Sequence, residues 1–132
     1  MFVNAALNLC VASGIGGLYA ASGVSLQDGY RRDFEPEPDV IAVFRGSGGT
    51  PVVWDYTEDY GIQVLVDGST VSGARAVARA IYENLHDRRA ENIGGFGVLW
   101  LRGTALPQDL GPGPADSERF TVAVNFTARL LR

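Results

Sequence analysis

The feature that most restricts how this chain can fold is a strict two-residue alternation near its C-terminal end. Every second side chain from 120 to 130 is apolar; the set is Phe120, Val122, Val124, Phe126, Ala128 and Leu130. The positions that precede and separate them are mostly polar and include Arg119, Asn125 and Arg129. A period of two is typical of a β-strand with one buried face and one solvated face. We therefore predict a long strand over 119–130.

Three other segments predict strands. Residues 61–68 (GIQVLVDG) show the same alternation, with Ile62, Val64 and Val66 on one face. Residues 40–45 (VIAVFR) are rich in β-branched and aromatic side chains. Residues 96–106 (FGVLWLRGTAL) are apolar on both faces, which suits a central strand. This last segment and the strand over 119–130 are expected to form a long hairpin, because sequential strands are usually neighbours.

The connections are predicted from glycine, proline and charge. Residues 28–39 form a charged connector that two prolines hold extended. Residues 46–51 (GSGGTP) read as a flexible turn, and residues 52–54 as a short extended piece. Residues 55–60 are an acidic and aromatic stretch, and residues 107–116 (PQDLGPGPAD) are an exposed loop.

Two segments show helical spacing. The first has Val3, Leu7, Cys10 and Val11 on one face and is expected to stop at Ser13-Gly14, with loop or irregular structure over 13–23. The apolar stripe of the second consists of Ala74, Val77, Ala78, Ile81 and Leu85. Ser72 is the N-cap predicted for this second helix. Arg75, Arg79 and Glu83 follow the opposite face, where Arg79 and Glu83 can pair.

The order helix, strands, helix, long hairpin predicts an α+β fold. We expect a mainly antiparallel or mixed sheet with both helices packed on one face and a long C-terminal β-hairpin. A chain of 132 residues has room for one hydrophobic core, so residues 1–132 are expected to form a single domain.

Composition excludes several classes of protein. All eleven basic residues are Arg, which excludes a Walker-type phosphate loop and Schiff-base chemistry. A net charge of -4 argues against a protein that grips nucleic acid by neutralising phosphates. One Cys and one His cannot form an internal disulfide or a soft metal site with several ligands. The uncharged first 27 residues lack a basic flank and a long apolar run, so a buried helix is expected rather than a targeting segment.

No residue is predicted to be catalytic, to bind a cofactor or to bind a metal. His86 beside Asp87 could be an oriented base, but a histidine placed by the helix dipole is the simpler interpretation. Cys10 lies on the apolar stripe of the first helix, where an inert buried thiol is expected. The acidic residues 55–59 lack the spacing of a calcium loop and read as a solvated charge run.

The predicted functional residues are candidates for contact with partner proteins. Trp54, Tyr56 and Tyr60 are one group, because large aromatics dominate many interfaces, although one or two of them could equally pack in the core. Arg75 and Arg79 are either a solvated helix face or a bridge to acids of a neighbouring subunit. The remaining candidates are Asp109 and Arg119.

The order and spacing of these segments resemble the tail terminator, or minor capsid, proteins of long-tailed bacteriophages. In that family a strand of the form "giQv.vrg" precedes a helix "A...a..iy..L", and the chain closes on a strand with "R.....vNf". The matching positions are Gly61 to Val66, Ala74 to Leu85, Arg119 and Val124 to Phe126, with Pro36, Pro38 and Val40 to Val43 upstream. The resemblance spans roughly residues 34–132. It departs at Asp67, where relatives often have an arginine, which leaves open any salt bridge from that position.

The resemblance implies a non-enzymatic virion component without a cofactor. Such proteins form a hexameric ring on the last ring of the tail tube, stop tube growth and present a surface to the head connector. The expected location is the head–tail junction of the virion, after assembly in the host cytoplasm and without a membrane. DNA is expected to pass through the lumen without specific binding. The alternatives are another neck component, such as a head-completion or stopper protein, and a small α+β enzyme or ligand-binding domain.

Overall fold

The computed structural model describes residues 2–32, 34, 37–52, 57–112 and 119–131, with the backbone alone for 48–52. Within these residues a mixed sheet carries two α-helices on one face, which confirms the predicted α+β class. The helices are α1 (Phe2–Ala12) and α2 (Val71–Leu85). The strands are β1 (Gly17–Leu18), β2 (Val24–Asp28), β3 (Val40–Val52), β4 (Thr57–Gly68), β5 (Arg88–Ile93), β6 (Phe96–Gly103), β7 (Gln108–Pro112) and β8 (Phe120–Leu131).

The strand order across the sheet is β1-β2-β3-β4-β8-β6-β5. The first two pairings, β1 with β2 and β2 with β3, are parallel, and all the others are antiparallel. Strand β8 pairs along its whole length with β4 on one side. On its other side β6 pairs with the C-terminal half of β8 and β7 with the N-terminal half. The predicted hairpin partners are therefore neighbours. Strand β6 lies inside the sheet between β8 and β5, and β4 has the middle position.

The core lies between the sheet and the two helices. The alternating side chains of β8 and β4 point into it, and Val64, Val66 and Val124 are fully buried. The apolar stripe of α2 lies against these strands, as its spacing predicts, with Ala74, Ala78, Ile81 and Leu85 fully buried. On α1, Leu7 and Cys10 are buried in the same cluster.

The glycine-rich segment 46–51 is not a turn, so that prediction is wrong. It continues β3 as far as Val52, with an irregularity in its pairing between Gly46 and Gly48. A side chain at Gly46 would collide with the Tyr60 hydroxyl. Glycine at this position therefore leaves room for the Tyr60 ring to lie against β3. The acidic stretch is also partly strand, since β4 already begins at Thr57.

The sequence prediction missed β1, β2, β5 and β7. Strand β5 forms a tight hairpin with β6 through Gly94 and Gly95, both in the left-handed region. The N-cap of α2 also differs from the prediction. Thr70 rather than Ser72 caps the helix, since the Gly73 N–H donates to Thr70 Oγ1 at 3.0 Å.

Candidate interaction surfaces

The structure joins helix α2 to strand β7 through a two-pronged ion pair between Arg75 and Asp109. Arg75 Nη2 lies 2.6 Å from Asp109 Oδ2, and Nε lies 3.3 Å from Oδ1. The guanidinium carbon also lies 5.6 Å from the centre of the Phe120 ring. The hydrogen bonds that Arg75 donates to Asp109 raise the pKa of Arg75 above its ordinary value. Both side chains are well exposed. The pair therefore links the surface of α2 to that of β7 but adds little to the stability of the protein.

A groove of about 280 Å³ lies beside this pair, and we call it the α2–β7 groove. Its lining consists of Arg75, Arg79, Leu106, Pro107, Asp109 and Val122. The predicted Arg79–Glu83 pair is present at 3.1 Å. Leu106 is 66% exposed and Leu110, one residue beyond Asp109, is 52% exposed. Three predicted interface residues thus meet on one surface that also carries exposed apolar side chains.

The aromatic candidates separate. Tyr60 packs edge-to-face on Phe2, with ring centres 6.0 Å apart, so it has the core-packing role that the sequence left open for one or two aromatics. Burial raises the pKa of Tyr60. Trp54 and Tyr56 lie outside the described residues, and their interface role stays a prediction.

Arg119 is buried and contacts several groups within its own chain. Its Nε donates to Asp67 Oδ1 at 2.8 Å, and its Nη2 donates to the backbone oxygens of Pro38, Asp39 and Asp67 at 3.0–3.1 Å. Arg31 Nη1 binds the other carboxylate oxygen of Asp67 at 2.5 Å and also pairs with Glu37. We call these residues the Asp67 clamp. Asp67, whose salt bridges the sequence left open, therefore accepts from two arginines.

The clamp fastens the charged connector to the face of the sheet that points away from the helices. Beneath it, Gln27 and Ile41 are fully buried although their side chains lie on this outer face. The Gln27 amide exchanges hydrogen bonds with the backbone of Arg32, which satisfies it. The described part of the connector therefore belongs to the packed structure, and Arg119 stabilises it.

A second polar cluster on the outer face was not predicted. The guanidinium carbon of Arg102 lies 4.1 Å from the centre of the Trp100 ring, and that of Arg129 lies 5.4 Å from it. Arg129 also binds Asp59 at 2.8 Å and 3.1 Å, and these hydrogen bonds lower the pKa of Asp59. The sequence signal for this cluster is the spacing of Trp100 and Arg102. Two residues apart on β6, they share one face of the strand.

His86 has a structural contact that supports the simpler interpretation. It caps the C-terminal end of α2, and its Nδ1 accepts the Gly103 N–H at 2.9 Å. Its ring stacks on Tyr82 with 4.8 Å between centres. In the described part of the chain, no three His, Cys, Asp or Glu side chains are grouped so as to hold a metal ion. Among those same residues, no helix has the length and apolar character to cross a membrane.

The thiol of Cys10 is buried as predicted. Burial raises its pKa from an ordinary value of 9.0 to about 11, against a smaller opposing effect of the hydrogen bond from Asn84. A pKa raised in the folded state adds stability that is complete below pH 9 and is lost as the pH rises through 11.

We therefore expect the unfolding free energy of the wild type to fall relative to Cys10→Ala between these pH values. The change should reach about 2–3 kcal/mol, measured by urea unfolding across the pH range. Parallel pH profiles for the two proteins would contradict it.

Comparisons with known proteins identify a related fold but no family. No family model matches the chain, and no curated protein matches it. Its fold is similar to that of a chain in the solved structure of the virion of a native gene transfer agent (GTA) particle. The TM-score is 0.58 and the identity 11%, over 92% of this chain and 83% of that one. At this identity the likeness shows a shared fold alone.

Proposed function

We propose that the chain is a structural protein of a phage-like virion. The observation that carries this proposal is the fold shared with a chain of the gene transfer agent virion over nearly the whole length of both. The sequence resemblance to tail terminators points in the same direction and is independent of the fold comparison. Proteins of one fold serve many functions, so the two observations are needed together.

Within the virion, the role that fits best is tail terminator. The three segments that carry the resemblance form one unit of the structure: strand β4 pairs with β8 along its length, and helix α2 packs across both. The segments that carry the resemblance thus lie together at the centre of the fold rather than in scattered loops. We assign to this unit the role of the rigid body of a hexameric ring that ends the tail tube.

The surfaces available for the tube are the β3–β4 hairpin and the α2–β7 groove. We assign the tube-facing contacts to the segments 46–60 and 107–117. The first is a paired arm of β3 and β4 as far as Val52 and Thr57, so it would project as a stiff unit rather than as a mobile loop. The second includes β7, whose exposed Leu110 and ion-paired Asp109 suit a protein contact.

The proposed function is not enzymatic and uses no cofactor. Among the described residues, the one histidine caps a helix and the one cysteine is buried, so neither is placed as a nucleophile or base. The net charge of -4 disfavours tight DNA binding, and DNA would pass through the ring without specific contacts. Its partners would be further copies of itself, the tail tube protein and the head connector or stopper.

The second candidate is another neck component, such as a head-completion or stopper protein. The fold shared with a chain of the gene transfer agent virion is compatible with that role as well. The two candidates differ in what they bind, since a stopper contacts the connector without binding the end of the tail tube.

A reconstruction of the particle that contains this protein tests the location. We expect a closed hexameric ring between the last tube ring and the head connector, because a finite cap requires closed symmetry. Isolated dimers, or density for this chain outside the head–tail junction, would contradict the proposal. Contact with the connector alone would favour the stopper.

A further inference from the structure

The arginine and tryptophan cluster on β6 is an exposed, cationic surface on an acidic protein. We call Leu99, Trp100, Arg102 and Arg129 the β6 surface. Arg129 is paired with Asp59, and the charge of Arg102 also contributes to the lowered pKa of that carboxylate. The Arg102 guanidinium stacks on Trp100, and Leu99 beside it is 38% exposed. Tryptophan and arginine in this arrangement are typical of the residues that dominate protein interfaces.

The opposite end of the sheet has the complementary character. A groove of about 130 Å³ between α1 and the β1–β2 edge is lined by Asn4, Leu7, Asn8, Leu18, Tyr19 and Asp28, and we call it the Asp28 groove. No ion pair of Asp28 is present among the described residues, and the guanidinium carbon of Arg32 lies 4.2 Å from the centre of the Tyr19 ring in the groove lining. The groove is smaller than the roughly 300–1,000 Å³ of a small-molecule site, but it has room for a guanidinium. Its carboxylate and two amide oxygens are acceptors for the N–H donors of arginine.

The charges of the two ends differ beyond these contacts. Residues 28–39, which follow the β2 edge, carry five acidic and two basic side chains. Residues 87–103, which include β5 and β6, carry three arginines and two acids. Exposed apolar side chains lie at both ends, Leu99 at one and Leu18, 49% exposed, at the other. The two ends are therefore complementary in charge, and both carry exposed apolar side chains.

We infer that the β6 surface of one copy packs on the Asp28 groove of the next copy. Because the two surfaces are different, the contact is heterologous, and repeated copies can close into a ring. Side chains rather than strand edges make the contact. β1 has only two residues, and Ala90 on the outer strand β5 has a left-handed φ of 49° that interrupts the edge. This inference rests on the ring of the proposed function and specifies its subunit interface.

A second copy fits the β6 surface better than DNA does. Nucleic-acid binding requires many phosphates to be neutralised, whereas this surface offers two arginines, one of which is paired with Asp59. The net charge of -4 disfavours contact with DNA phosphates, whereas the Asp28 carboxylate of a neighbouring copy is a local acceptor for Arg102.

Charge reversal at the two ends provides the test. Arg102→Glu makes the β6 surface acidic, and Asp28→Arg makes the opposite groove basic. Self-association of the full chain is measured by sedimentation velocity at increasing protein concentration, at low and high salt. We expect the wild type to associate, with weaker association at high salt. Each variant alone should associate at least about tenfold more weakly than the wild type, because like charges then face each other.

Mixing the two variants is the decisive step. In the mixture each acidic β6 surface meets a basic groove, and each basic β6 surface meets an acidic groove, so association should return. Arg45→Glu is the matched control, since Arg45 is an exposed arginine of β3 that belongs to neither surface, and this variant should behave like the wild type. Circular dichroism verifies that each variant is folded.

Several outcomes would overturn the inference: a wild type that stays monomeric at all concentrations, an Arg102→Glu variant that associates normally, or a mixture that stays dissociated. Duplex DNA binding that Arg102→Glu abolishes, with self-association unchanged, would assign the surface to nucleic acid instead. Rings that form through this contact but fail to cap tubes would contradict only the proposed function. Tube capping that persists in Arg102→Glu with normal association would contradict only the interface.

Discussion

Ile81→Ala is expected to lower the free energy of unfolding by about 2–5 kcal/mol, the usual range for large-to-small substitutions in a core. Ile81 is fully buried in the middle of the apolar stripe of α2, which packs on β4 and β8. Removing its outer carbons leaves a cavity that these strands cannot fill without moving the centre of the sheet. Urea unfolding, followed by circular dichroism, measures the change as a lower transition midpoint.

Two controls make this prediction specific. Val71→Ala removes carbons from a residue of the same helix that is 41% exposed, and it should change stability by less than about 0.5 kcal/mol. His86→Ala loses one hydrogen bond from Gly103 and should cost about 1 kcal/mol. It should also leave assembly intact. If Ile81→Ala were neutral, the assignment of the helix face would be wrong, and loss of assembly in His86→Ala would point to a functional histidine.

Arg119→Ala is expected to cost about 3 kcal/mol, the lower part of the range for removing one partner of a buried ion pair. The substitution leaves Asp67 with Arg31 as its described cation and removes the donor from the carbonyl oxygens of Pro38 and Asp39. The connector should then detach from the outer face, which exposes Ile41 and Gln27 to solvent. Urea unfolding measures the loss, and hydrogen exchange of the amides in β2 and β3 locates it.

The matched control is Arg79→Ala on the exposed face of α2. Its pair with Glu83 is solvated, so the expected cost is only about 0.3–0.5 kcal/mol. Arg119→Lys should fall between the two, because lysine keeps the charge but cannot reach the carboxylate and the carbonyls together. An Arg119→Ala protein as stable as Arg79→Ala would show that the clamp does not hold the connector.

The elements that the sequence predicts well are those in which one residue pattern decides the structure. The alternation in β8 and in the second half of β4, and the stripe of α2, each require one buried face, and the structure buries each of them. The strands that escaped prediction are short or lie at an edge. Strand β5 (RRAENI) has little apolar character, and its formation depends on pairing with β6 through a glycine turn.

The wrong predictions for the glycine-rich segment and for Arg119 have one physical cause, which is tertiary contact between distant segments. Gly46 looks like a turn residue locally, yet it is in a strand because it pairs with β4. The missing side chain leaves space for the Tyr60 hydroxyl. Arg119 looks like a free interface residue locally, yet it is buried because Asp67 and the connector backbone surround it. The groove that unites Arg75 and Asp109 likewise depends on β7, which a loop prediction cannot place.

Tail length in particles assembled without this protein is the most direct test of the terminator role. A stack of identical rings grows without limit unless a different subunit occupies its end. Electron micrographs of a strain that lacks the chain should therefore show tail tubes of uncontrolled length beside heads that have not joined to tails. Tails of normal length attached to full heads would contradict the terminator role and favour a stopper.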